Sequence, residues 1–160
     1  MTQSPLSDDR ITAIGLLMEV CTGLSARLGQ QLEKHGLSLA EFEVLMRLAR
    51  SPEHRLRMTD LATQTSLSTS GMTRMVDRME RDGLVCRSAC PTDRRSLHTV
   101  LTETGMRRLN AVLPGHLALI DRWFTGQLDP DTLRGLLAAL RTVRDGVHPG
   151  AVAGSAGVAG

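Results

Sequence analysis

The sequence has no tyrosine, and aromatic residues make up only 2% of its 160 positions. Strands favour aromatic and β-branched side chains, whereas leucine, alanine, methionine and arginine favour helices. An all-β fold is therefore disfavoured, and a mainly helical one is expected. The apolar fraction of 41% is high enough for a folded core and argues against disorder, and the length fits about one domain.

Cysteine is also scarce, and no metal-ligand spacing occurs among the five histidines or the three cysteines, Cys21, Cys86 and Cys90. An odd cysteine count argues against a secreted disulfide framework, and no metal site or cofactor is expected. The first ten residues are polar and lack a signal-peptide pattern, and no apolar run reaches the ~18 residues of a membrane span. We therefore expect a cytoplasmic protein without a membrane partner.

Lysine is nearly absent, because Lys34 is the one lysine among 19 basic residues. The formal net charge is +2, and the excess lies in the middle, where residues 51–110 contain ten basic and seven acidic groups. One interpretation is a modestly basic surface that faces phosphate. The alternative is chance variation in an arginine-rich chain.

Helical periodicity dominates the first third of the chain. A helix is predicted from Asp9 to about His35, with an apolar stripe of Ile14, Leu17, Met18, Cys21, Leu24, Leu28 and Leu32. Ser38 and Glu41 have the spacing of a capping box and predict a second helix to about Ala49. A third, short helix is expected at 58–65.

Two further helices are predicted towards the C-terminus. The first begins at Thr102-Glu103-Thr104-Gly105 and continues to about Phe124, and the second begins at Asp129-Pro130 and continues to about residue 146. Residues 147–160 contain almost only Gly, Ala, Val, Ser and Pro, and this composition indicates a disordered tail.

The middle segment gives the clearest pattern. Ser68 is a natural N-cap and Gly83 suits a left-handed C-terminal position, while one helix face between them carries Met72, Met75, Val76 and Met79. Short strands are predicted at 84–88 and 97–101, separated by a polar turn at 89–96. A short helix, a turn, an amphipathic helix and a hairpin together predict a winged helix-turn-helix.

The polar side of this helix suits double-stranded DNA. The major groove admits one α-helix, whose N-terminal half reaches the base edges. That half presents small hydroxyl groups around one arginine: Ser68, Thr69, Ser70, Thr73 and Arg74. The alternative is an amphipathic surface helix whose polar face is merely solvated.

Several spaced motifs resemble the signature of MarR-family transcriptional regulators. They are Gly83-Leu84-Val85, then after seven residues Asp93-Arg94-Arg95, and after six more Thr102-Glu103-Thr104-Gly105. Met79-Glu80-Arg81-Asp82-Gly83 is similar to the helix end that precedes this signature. The resemblance covers about residues 10–146. Gly71 departs from it, because the family more often has Ser, Thr, Asn or Ala there.

The resemblance implies a winged helix-turn-helix lobe, 37–102, on a helical dimerisation region formed by 9–35 and 103–146. It implies a homodimer that represses transcription at pseudo-palindromic operators and is released by a small phenolic or other aromatic ligand, whose binding residues are unknown. Besides the five helix residues named above, the implied DNA-binding set includes Arg78, Asp93, Arg94 and Arg95.

Two alternative functions stay open. Some MarR-family peroxide sensors place a reactive cysteine on the first helix, where Cys21 lies, but they stabilise it with tyrosines that this chain lacks. A buried, inert Cys21 is the preferred interpretation, and oxidation of Cys86 or Cys90 is a weaker possibility. A small enzyme is disfavoured, because the sequence contains no nucleophile elbow, phosphate loop or paired catalytic carboxylates.

Overall fold

The computed structural model describes residues 7–65, 67–90 and 93–151, with the backbone alone at Cys90 and at 93–96. Six helices and three short strands make up this part of the chain. In order they are α1 Asp9–Glu33, α2 Leu39–Ala49, β1 Arg55–Arg57, α3 Met58–Thr65, α4 Thr69–Arg81, β2 Val85–Cys90, β3 Asp93–Leu101, α5 Glu103–Trp123 and α6 Pro130–Val147. The expected mainly helical fold with a small β wing is confirmed.

Local capping signals account for where the helices begin and end. The Ser38 hydroxyl accepts a hydrogen bond from the Glu41 backbone, and the Glu41 carboxylate accepts one from the Ser38 backbone, so the predicted capping box is present. Between α1 and α2, Gly36 adopts the left-handed region at φ 69°. These two signals set the turn that packs α2 back against α1.

The helix-turn-helix is formed by α3 and α4, as predicted. The Ser68 hydroxyl accepts from the Gly71 N–H at 3.1 Å, and Gly83 has φ 71° directly beyond the other end of α4. The predicted apolar face of α4 is buried in the core, and its members are Met72, Met75, Val76 and Met79. Ser66, which lies between α3 and α4 in the sequence, is outside the described residues.

The wing is a three-stranded antiparallel sheet in the order β1-β3-β2. The observed strands differ from those predicted at 84–88 and 97–101. Strand β2 extends to Cys90, and β3 already begins at Asp93. Arg94 and Arg95 therefore lie in a strand and not in a turn at 89–96. Ala89 pairs with Leu97 and Cys90 with Asp93, so the register shifts between Ala89 and Cys90 and residues 94–96 have no partner on β2.

Strand β1 was not predicted from the sequence. It has three residues, two of them arginine, and it pairs with His98–Val100 on the edge of the sheet. Three residues are too few for their alternation of polar and apolar side chains to indicate a strand, and only pairing with β3 identifies it as one.

The core lies in the winged-helix lobe, while α1 and α6 contribute little to it. Leu32 is the one residue of α1 that is buried in the chain, and no residue of α6 is. Most of the apolar stripe predicted for the first helix faces solvent, with Ile14 55%, Leu17 42% and Met18 59% exposed. Cys21 is exposed too, so the expectation that it is buried is wrong for the single chain.

Helix α1 also meets the length and composition of a membrane span, since its most apolar 18-residue window has a mean hydropathy of 1.4 and no buried part. This contradicts the expectation that no segment qualifies. Composition alone does not separate such a helix from one that packs against a second chain, because interfaces between obligate partners are as apolar as a core.

A small polar cluster joins α1 and α5 to α2. The His116 ring lies 4.3 Å from the Phe42 ring, and its Nδ1 lies 3.1 Å from Gln31 Oε1. Burial lowers the pKa of His116, so the imidazole is neutral at pH 7. The cluster connects the predicted dimerisation region to the DNA-binding lobe.

The residues after α6 return to the lobe. His148 Nε2 lies 2.9 Å from the Thr63 carbonyl oxygen on α3, and Ala151 is buried. The beginning of the segment predicted to be a disordered tail thus has a defined position, and the rest of it, residues 152–160, lies outside the described residues.

Candidate nucleic-acid interface

The N-terminal half of α4 presents an open polar surface. Its predicted DNA-binding residues are all solvent-exposed: Ser68, Thr69, Ser70, Thr73 and Arg74. In the described part of the chain, no carboxylate lies within ion-pair distance of the Arg74 guanidinium. Arg74 therefore keeps its charge and its hydrogen-bond donors available for a ligand.

Two of the hydroxyl groups are already used by the helix itself. The Ser68 hydroxyl caps the first turn, and the Thr73 hydroxyl donates to the Thr69 carbonyl oxygen at 2.9 Å. Ser70 lies 3.2 Å from Ser68, oxygen to oxygen. These bonds fix the geometry of the first turns, so Ser68 and Thr73 act first as supports of the helix.

Gly71 fits this first turn of α4. A Cβ at position 71 would lie 3.1 Å from the Ser68 hydroxyl oxygen, which is a tight contact. The glycine therefore leaves room for the N-cap, and α4 is regular through it. The departure from the family signature is compatible with an intact helix start.

Arg78 lies on the side of α4 that faces α2. Its guanidinium is 3.6 Å from a Glu41 carboxylate oxygen, and half of its side chain is exposed. Because Glu41 also belongs to the capping box of α2, this pair links α4 to the start of α2. Arg78 therefore has a structural partner, while its exposed part stays accessible.

An ion-pair cluster connects α4 to the wing. The Arg87 guanidinium on β2 lies 2.5 Å from an Asp77 oxygen and 2.5 Å from a Glu80 oxygen, and its backbone N–H donates to Glu80 at 2.9 Å. Burial opposes the charge of Arg87, but the hydrogen bonds and negative charges of both carboxylates raise its pKa overall. Sequence reasoning missed this cluster, although Asp77 and Glu80 are spaced three residues apart on one helix.

The charged residues of the wing follow on β3. Asp93, Arg94 and Arg95 occupy the first three positions of the strand, and their side chains lie outside the described residues. Among the residues that are described, no group of three or more His, Cys, Asp or Glu is placed to hold a metal ion.

Comparison with known proteins supports this arrangement. A family model described as the MarR family matches residues 37–97, which comprise α2 to β3. The crystal structure of AbsC, a MarR family transcriptional regulator from Streptomyces coelicolor, has a TM-score of 0.83 and 36% identity, covering 91% of this chain and 98% of that chain. The chain belongs to the MarR family of transcriptional regulators.

Two other MarR-type proteins are similar. Sco3205 of Streptomyces coelicolor, whose crystal structure is in complex with DNA, has a TM-score of 0.81 and 30% identity, covering 91% of this chain and 92% of that chain. The HTH-type transcriptional repressor YetL of Bacillus subtilis (strain 168) is 38% identical over 85 residues, which is 53% of this chain and 51% of YetL. The match thus spans about half the length of YetL.

Membership of the MarR family confirms the interpretation drawn from the signature motifs. Regulators of this family are dimeric transcription regulators, and they are generally cytoplasmic. The helix with the exposed polar face, α4, is the second helix of the helix-turn-helix, which is the element that reads DNA in such motifs.

Proposed function

We propose that this MarR-family protein is a cytoplasmic repressor that binds a pseudo-palindromic operator as a homodimer. In each subunit α4 enters the major groove, and the β2–β3 wing reaches the adjacent minor groove. The observation that carries the proposal is the exposed N-terminal half of α4, whose Arg74 has no carboxylate partner among the described residues and whose opposite, methionine-rich face is buried.

The chemistry of α4 supports this placement. Its N-terminus carries the positive end of the helix dipole and free backbone N–H groups, which favour a phosphate. Arg74 lies about a turn and a half into the helix, where a bidentate bond to a guanine is feasible. Arg78 and Arg94 serve as phosphate contacts, which position the protein without reading the base sequence.

The exposed apolar surfaces of α1 and α6 support dimerisation. Leu137, Leu140 and Val143 on α6 are exposed in the single chain, as is much of α1. Apolar patches of this extent on a monomer mark an interaction surface. Two recognition helices must also meet successive major grooves about 34 Å apart, and a single subunit offers only one.

We expect sedimentation at micromolar concentration to give a homodimer whose interface uses 9–28 and 117–144. Leu17→Asp should shift the equilibrium towards the monomer, because it places a charge in the apolar interface. Lys34→Asp, beyond the helical part of α1, is the matched control and should leave the dimer intact. A wild-type protein that sediments mainly as a 17.4 kDa species would contradict the proposed dimer.

A small aromatic acid is the proposed effector. An open pocket of about 180 Å³ lies between α1 and the end of α5, lined by Val20, Gly23, Leu24, Arg27 and Trp123. The Arg27 and Arg122 guanidinium groups lie 4.3 and 4.9 Å from the Trp123 ring centroid. An aromatic wall with one cation, Arg27, in the lining of the pocket suits a planar ring that carries a carboxylate.

Thiol oxidation is the second candidate for the release signal. Cys86 is exposed and lies outside the proposed dimer interface, so an oxidant can reach its thiol, whereas Cys21 is exposed in the single chain but lies within the interface segment 9–28. The absence of tyrosine still argues against the arrangement found in the MarR-family peroxide sensors.

A gel shift with DNA from upstream of the protein's own gene tests the proposal. We expect a complex whose affinity falls steeply with salt and which survives an excess of unrelated duplex. Adding hydroxybenzoates should release the DNA and quench Trp123 fluorescence, whereas release by peroxide that a thiol reductant reverses would favour the redox candidate. If the protein shows no preference for this DNA over unrelated duplex, the proposed operator is wrong.

We also expect Asp93 and Arg95 to act as a pair at the wing. In the family pattern an acidic residue stands two positions before an arginine that reaches the minor groove, and a carboxylate there can orient the guanidinium. Asp93→Ala should weaken operator binding although it removes a negative charge, and it should have little effect once Arg95 is alanine. The measurement is a double-mutant cycle on operator affinity, and tighter binding by Asp93→Ala would show simple charge repulsion instead.

A further inference from the structure

One residue of the wing, Arg87, makes the polar contacts between β2 and α4. In the described part of the chain, the hydrogen bonds from β2 to α4 all come from Arg87, through its backbone N–H and both terminal nitrogens of its guanidinium. These bonds end on Asp77 and Glu80, one helical turn apart on α4. Such a two-carboxylate contact fixes both the distance and the rotation between the strand and the helix.

The position of the cluster sets what it can control. Arg87 pairs with Thr99 on β3, so it lies in the wing sheet a few residues before Asp93. Asp77 lies one turn after Arg74 on α4. The contact therefore lies between the helix proposed to read the major groove and the strands proposed to reach the minor groove.

The exposure of the three side chains argues against a direct contact of Arg87 with DNA. Arg87 is only 21% exposed, and its two terminal nitrogens already bind carboxylates, while Asp77 and Glu80 are 50% and 38% exposed. A guanidinium whose terminal nitrogens donate to two carboxylates has few N–H donors available for a phosphate. Two carboxylates without this arginine would in turn repel DNA.

We propose that Arg87 is a positioning residue which, through Asp77 and Glu80, holds the wing at the angle to α4 that operator binding requires. The inference rests on the proposed DNA-binding function. It assigns the acidic residues of α4 a favourable role in binding DNA, although their charge alone would oppose it.

Operator affinity of the full-length protein, measured by gel shift or fluorescence anisotropy, tests the proposal. Arg87→Met should weaken operator binding by about tenfold, the order of effect of losing one coupled contact. The double variant Asp77→Asn with Glu80→Gln should also weaken it several-fold, and the triple variant should bind no worse than Arg87→Met. Binding to unrelated duplex should change much less. A misplaced wing disturbs the alignment of the protein on its operator more than it alters the positive charge that attracts any duplex.

Arg107→Met is the matched control, since it removes one positive charge and one exposed ion pair with Glu103 on α5. It should leave operator affinity unchanged. Arg87→Lys should be intermediate, because a lysine keeps the charge but lacks the fork that binds two carboxylates at once. Thermal unfolding of each variant identifies any loss of affinity that comes from loss of the fold.

The outcomes separate the two proposals. If the wild-type protein does not bind its upstream DNA, the proposed function fails and this inference fails with it. If the wild type binds but the Asp77→Asn, Glu80→Gln variant binds equally well or more tightly, the carboxylates only repel DNA and the positioning role is wrong. If Arg87→Met weakens binding while the Asp77→Asn, Glu80→Gln variant does not, Arg87 acts on DNA without the carboxylates, and the positioning role through them is wrong.

Discussion

Arg74→Ala should weaken operator binding by about 1–3 kcal/mol and relax the sequence preference at one base pair in each half-site. The reason is that an arginine with no carboxylate partner in the described part of the chain, on the exposed face of α4, can bind a guanine edge with two hydrogen bonds. The measurement is affinity for the operator and for a panel of single-base variants of it, at one fixed salt concentration.

Arg94→Ala is the contrasting variant. A phosphate contact carries no base information, so this change should weaken all duplexes alike and reduce the dependence of affinity on salt. If Arg74→Ala kept full operator preference, the base-reading side chains would lie on another face of α4.

Gly105→Ala should destabilise the folded protein by about 3 kcal/mol, at the upper end of what inserting one methyl group costs in a packed site. A Cβ at this position would clash with the Leu84 carbonyl oxygen and would lie 2.7 Å from a Leu101 methyl group. The Leu84 carbonyl cannot move away freely, because it accepts a hydrogen bond from the Thr102 backbone at 3.2 Å. The start of α5 and the start of β2 can approach this closely only with glycine at position 105.

Urea unfolding at one protein concentration measures this effect, since the stability of a dimer depends on concentration. Gly146→Ala is the matched control, because a Cβ there meets no atom within 4 Å and alanine favours a helix. It should leave stability equal or slightly higher. Equal stability of the Gly105→Ala variant would show that the backbone around Leu84 relaxes without cost.

The helices of the lobe were predictable because their signals are local. Ser38 with Glu41, and Ser68 with Gly83, begin or end a helix through bonds within a few residues, and the structure confirms each of them. The apolar face of α4 was predictable for a similar reason, since its apolar residues recur along the sequence with the helical period of 3.6 residues.

The wing was predictable only in outline. Polar residues 89–96 suggest a turn, yet β2 extends to Cys90 and β3 begins at Asp93, where Cys90 and Asp93 pair across the strands. Pairing between distant positions is not visible in strand preference alone. The edge strand β1 depends entirely on its neighbour. The contact of Arg87 with Asp77 and Glu80 joins residues ten and seven positions apart, and only the angle between β2 and α4 brings them together.

The exposure of α1 and Cys21 shows a second limit of predicting burial from the sequence. Helical periodicity correctly indicates which side of α1 is apolar, but it does not say whether that side meets its own chain or another one. The described part of the chain does not cover the N-terminal half of α1, and so Cys21 and most of the stripe remain exposed. The assignment of a buried core cysteine was wrong for that reason.

The sequence by itself determined the family, the helix-turn-helix and its recognition helix, because spaced motifs, caps and periodicity act over short distances along the chain. Only the tertiary structure decided which side chains are available at the interface. It leaves Arg74 without a carboxylate partner in the described residues, pairs Arg78 with Glu41, and commits Arg87 to α4. Such pairings depend on the packing of separate elements, so the sequence alone does not distinguish an arginine that forms an ion pair from one that does not.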